Sequence, residues 1–135
     1  MGYTGFRIRA LVKPEYEEEI ELLHLSGYNW AAAKYDFLKD FAKDPGSRYI
    51  PHGLYRPVKG IEEWNKQSYY SSQIHVWSFT CFLDNYNMTI ESFLDNILSK
   101  ITKQAVVEYK HENSAESIIL SLENNFFVPQ KRGVA

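Results

Sequence analysis

His52 has the most suggestive chemical setting in this chain of 135 residues. It stands between Pro51 and Gly53 in a stretch without regular periodicity, with Arg48 and Arg56 four residues to either side. A neutral imidazole can move protons near neutral pH, and guanidinium groups bind carboxylates and phosphates. The three together would suit an enzyme or small-ligand binder acting on an anionic substrate. No carboxylate or nucleophile is set against His52 by the sequence, so a turn histidine beside solvated arginines is the plainer reading. His52 is therefore the one weak catalytic candidate.

The remaining reactive types are thinly spread. His24, His52, His75 and His111 never fall at zinc-ligand spacing, and no metal site is expected. Glycines are not grouped as in phosphate-cradling loops, and no cofactor is expected. Cys81 shares the parity of Trp77, Phe79 and Leu83, where a free thiol behaves as a small inert hydrophobe. His75 falls on that same parity at the start of the run.

Aromatic content is the departure from average, at 16% of residues with ten tyrosines. Tyr28, Trp30, Tyr49, Tyr55, Trp64, Tyr69, Tyr70 and Tyr86 lie mostly in or beside connections. Such side chains bring large contact area at low conformational cost. The segment from Arg48 to Ser72 thus reads as a partner-binding loop using Arg48, Tyr49, His52, Tyr55, Arg56, Trp64, Tyr69 and Tyr70. The alternative is that the loop folds back and its aromatics form a satellite core.

Fifteen basic residues are set against 17 acidic ones, a net charge of −2, with no basic stripe of the kind that grips duplex nucleic acid. Glu15, Glu17, Glu18, Glu19 and Glu21 read as a solvated helix face. Single-stranded nucleic acid could stack on sheet aromatics, but Gly5-Phe6-Arg7-Ile8-Arg9 only faintly echoes the RNA-recognition signature. One cysteine, no signal-peptide core and no apolar run of about 18 to 20 residues point to a cytoplasmic protein without a membrane span.

The elements that would position these residues follow from periodicity. Phe6, Ile8, Ala10 and Val12 alternate with Arg7, Arg9 and Lys13 as a half-buried strand. A first helix is predicted over Glu15 to Leu25, with Gly27 as its stop, and a second, capped by Asn29, over Trp30 to Ala42. Tyr49-Ile50 and Leu54-Tyr55 read as a short edge strand. Ile74 to Leu83 forms the strongest strand, and Ile90, Phe93, Leu94, Ile97, Leu98 and Ile101 mark one face of a helix. Gln104 to Lys110 and Glu116 to Leu122 make a hairpin. The tail, 124–135, is either a last strand or a loose arm.

The predicted class is α+β in a single domain over 1–135: an antiparallel sheet of four to five strands with two or three helices on one face. In order the elements resemble a ferredoxin-like βαββαβ sandwich with an extra helix and an extra C-terminal strand. The leading expectation is a small non-catalytic protein-binding module, comparable in size and class to inhibitor or immunity-type proteins of bacteria or phages. Its partner would be a protein of unknown identity, and self-association as a homodimer through a sheet face or edge is a further expectation.

Overall fold

The computed structural model describes residues 3–25, 28–53, 58, 60–64, 67–84 and 87–130. The strands are β1 (Tyr3–Val12), β2 (Gln67–Ser71), β3 (Val76–Asp84), β4 (Thr102–His111), β5 (Ile118–Glu123) and β6 (Phe126–Pro129). They form one six-stranded antiparallel sheet in the order β2-β3-β1-β4-β5-β6. β1 lies inside it and alternates as its sequence requires, Phe6, Ile8, Ala10 and Val12 buried and Arg7 and Arg9 exposed.

Among the described residues three helices cover one face. α1 (Glu17–Leu23) follows a 3-10 turn at Pro14–Tyr16, and α2 is Asp36–Phe41. α3 (Asn87–Phe93) runs through a π-helical stretch, Leu94–Leu98, into α4 (Ser99–Ile101). The apolar stripe from Ile90 to Ile101 is buried against Phe6, Ile8, Trp77, Phe79, Leu83 and Val107. Phe93 is its hub, with ring centroids 5.9 Å from Phe6, 5.6 Å from Phe41 and 6.0 Å from Phe79. Those separations lie in the range where offset and edge-to-face pairs attract.

Several expected elements differ. The sheet has six strands rather than four to five. The sixth forms because Asn124 and Asn125 take φ of 51° and 69°. Two consecutive left-handed residues make the tight hairpin turn whose twist suits the flanking strands, and asparagine tolerates that conformation. Phe126–Pro129 then pairs with β5, so over those residues the tail is a strand; residues 131–135 lie outside the described set.

The strand paired with Val76–Thr80 of β3 is β2. Ser47–Tyr49 is a 3-10 turn, and Leu54 and Tyr55 are outside the described residues. β3 begins at Val76. Ile74 is 56% exposed and His75 has φ of 59°, so His75 belongs to the β2–β3 turn and not to the buried parity of Trp77.

The predicted helix over Trp30 to Ala42 is broken for a chemical reason. After a 3-10 turn at Trp30–Ala32, capped by Asn29 Oδ1 accepting from Ala31 N at 2.9 Å, the chain goes extended and restarts at Asp36. Glu19, buried rather than solvated, accepts the N–H of Lys34 at 2.7 Å and the Tyr28 hydroxyl at 2.5 Å. A buried carboxylate must find donors, and here it takes one that would have continued the helix.

Among the described residues, the sheet's other face is covered at one end only. Val58, Ile61, Trp64 and Phe82 form a small second core there, with Tyr3 against it. Gly5 makes this fit: a Cβ on it would collide with the Ile61 side chain and lie 3.3 Å from the Trp64 ring. Gly53 lies close against β3, where a Cβ on it would stand 2.8 Å from the Phe82 carbonyl oxygen. At the far edge, Val128 pairs with Ser121 and Gln130 N donates to Ile119 O, so the intervening Pro129 presents its nitrogen outward.

Candidate functional site

Those residues of the expected binding loop that are described lie in several places. Arg48 donates to the Tyr49 hydroxyl at 2.8 Å and its guanidinium lies 4.8 Å from that ring's centroid. His52 is exposed, and its Nε2 donates to Leu23 O at the end of α1 at 2.9 Å. Tyr55 and Arg56 are outside the described residues. Trp64 is 4% exposed, within the second core. Tyr69 and Tyr70, adjacent on β2, point to opposite faces of the sheet. The Tyr70 hydroxyl is pushed up to about 12 by burial, then by the nearby Glu17 and Glu21 carboxylates.

On the helix side the fold assembles a cluster that periodicity did not reveal. His24, just past α1, has Nε2 3.2 Å from Trp77 Nε1 and Nδ1 3.2 Å from Ser68 Oγ, with the His52 ring edge-on at 5.4 Å. A serine touching a histidine suggests a nucleophile and its base. The indole nitrogen decides otherwise. Trp can only donate, so His24 Nε2 is the acceptor, and the single proton of the neutral ring sits on Nδ1 and points to Ser68. A base that already carries the proton on the facing nitrogen cannot take one from the hydroxyl. Burial, and then His52, hold the His24 pKa down to about 4, which keeps the ring neutral. The contact is structural. A sequence signal existed, since His24 continues the inner stripe of α1, but nothing local aligns that helix end with Trp77.

The uncovered part of the open sheet face is the second candidate. Register places Tyr69, Ser78, Arg9, Val106, Ser121 and Val128 in one row across the sheet. Thr80, Arg7, Glu108 and Ile119 flank it on one side and Val76, Leu11 and Gln104 on the other. Tyr69 is 42% and Val106 44% exposed. Two shallow depressions adjoin here, of about 400 Å³ beside Arg7, Arg9, Ser78 and Thr80 and about 270 Å³ beside Leu11, Val76 and Gln104.

The two arginines of this face differ. Arg7 stacks on Trp64 with its guanidinium carbon 3.8 Å from the ring centroid, and donates from Nε at 3.0 Å and Nη2 at 2.6 Å to Glu108 Oε1. The other Glu108 oxygen accepts from Ser117 Oγ at 2.6 Å. Arg7 is thereby neutralised and held. Arg9 is exposed and has no ion-pair partner among the described residues.

Among the described residues no three His, Cys, Asp or Glu come together to hold a metal ion, and no helix is long and apolar enough to cross a membrane. Compared with known protein families, curated proteins and solved structures, the chain matches none.

Proposed function

We propose that the protein is a non-catalytic protein-binding module that engages a partner protein through the uncovered half of its sheet. The carrying observation is that half-face itself: an open row through Tyr69, Arg9, Val106 and Val128, apolar or uncharged except for Arg9, on a six-stranded support. Exposed apolar surface bordered by polar groups is what protein interfaces use. The order β2-β3-β1-β4, with helical crossovers before β2 and before β4, also supports reading the core as ferredoxin-like, extended by β5 and β6.

The proton on the wrong nitrogen of His24 speaks against hydrolytic chemistry at Ser68. His52 spends its Nε2 on a backbone carbonyl. Stacking of single-stranded nucleic acid is disfavoured because the uncovered stretches of β1, β3 and β4 carry no aromatic ring.

Capture with the tagged protein from its native cells, in wild-type and variant form, tests this reading. A protein partner should be retained by His52→Ala and Arg48→Ala and weakened about tenfold or more by Val106→Lys, as for a residue near an interface centre. A small molecule that co-purifies and is lost with His52→Ala would replace the proposal with ligand binding or catalysis at His52.

A further inference from the structure

We propose that Arg9, with the hydroxyl of Ser78, is a carboxylate-binding subsite for an acidic side chain in an extended segment of the partner protein. This rests on the sheet face being the docking surface. Arg9 stands on β1 in the middle of the open row, beside the depression of about 400 Å³ that Ser78 and Thr80 also line. Its strand neighbour Arg7 is already bound to Glu108 and stacked on Trp64. Among the described residues the uncovered part of the face therefore displays one positive charge without an ion-pair partner, among side chains such as Val106 and Tyr69. Covering a guanidinium without meeting its charge is unfavourable, so the occupant has to bring an anion to that point.

Charge and area identify the occupant. Arg7 and Glu108, which line the same depression, neutralise each other, so Arg9 offers a single positive charge there, matched by one carboxylate rather than by a dianionic phosphate. Strands about 4.8 Å apart and same-face neighbours about 7 Å apart along each strand give this patch roughly 350 Å². A stable dimer or domain interface uses about 800 Å² from each partner, so the patch suits one strand-like segment better than a second copy of the chain.

The test is titration of the ¹⁵N-labelled full chain with a capped Val-Tyr-Glu-Val-Thr peptide and with its glutamine counterpart, followed by amide shifts. The glutamate peptide should move Arg9, Ser78 and Val106 and bind about tenfold more tightly than the glutamine peptide. In Arg9→Gln that difference should vanish while the remaining spectrum stays folded. Equal binding of the two peptides to the wild-type face overturns the subsite and leaves the docking reading standing. Discrimination that survives in Arg9→Gln, or no shift on the face up to about 5 mM peptide, also overturns it. Inorganic phosphate binding at Arg9 more tightly than acetate would overturn the ligand class. Shifts of these residues on simple dilution would give the face to a second copy.

Discussion

Trp77 donates its indole N–H to His24 Nε2 at 3.2 Å, tying β3 to the end of α1 across 53 residues of chain. The bond fixes more than a distance. It sets the tautomer of His24, aims the ring's remaining proton at Ser68, and makes protonation of Nε2 incompatible with the native arrangement.

Stability should therefore fall on acidification in a way traceable to His24. Its ordinary pKa is 6.5, and the folded value is about 4. Below pH 6.5 the unfolded chain takes up a proton that the folded chain refuses, so this contribution is full above that pH and drains as pH falls toward 4. A displacement of this size is about 3 kcal/mol for a sealed ring. His24 is only partly buried, so about 1 to 2 kcal/mol is the expected share. His24→Gln keeps an acceptor for Trp77 but does not titrate. Urea unfolding at pH 7 and pH 4.5 should show a smaller loss in the variant by that amount, and equal losses would remove His24 as the cause.

Gly5 and Ile61 should be energetically coupled. Gly5→Ala drives a methyl group into the Ile61 side chain, an overpacking expected to cost about 1 to 3 kcal/mol. In an Ile61→Ala background the same change should cost less by about 1 kcal/mol or more. Denaturant unfolding of the four proteins of the cycle gives the coupling, and additive costs would contradict the contact.

The β5–β6 hairpin should depend on Asn125. At φ of 69° a β-branched residue is strained, so Asn125→Val should cost about 1 to 2 kcal/mol. Asn125→Gly should be tolerated. Amide exchange should quicken in β6 and the adjoining half of β5 while β1 and β3 keep their protection. Uniform acceleration across the sheet would show that the turn does not act locally.

What could be read beforehand and what could not divide along a physical line. Phe6 to Val12 and Trp77 to Leu83 report their own burial, because an inward face in a central strand is written in alternating or continuous apolar residues. The stripe from Ile90 to Ile101 does the same for its helix, although the π-helical stretch within it left no mark. β2 is illegible, since its inward residues are the polar Ser68, which meets His24, and Tyr70, a short pair without an apolar run. The break before α2 depends on Glu19, 15 residues from Lys34. Trp64 looked like an exposed anchor and is buried because Gly5 makes room. Arg7 and Arg9 have the same character in the sequence, and only register against Glu108 separates the neutralised one from the other.

Pro129 governs what this sheet can become at high concentration. A last strand normally presents a row of N–H and C=O groups that another chain can zip onto, which is how fibrils and runaway aggregates begin. With its ring nitrogen turned outward, β6 lacks a donor where the next strand would need one, and a six-stranded sheet is discouraged from acquiring a seventh. In a crowded cell the molecule is thus protected along this flank against templating copies of itself.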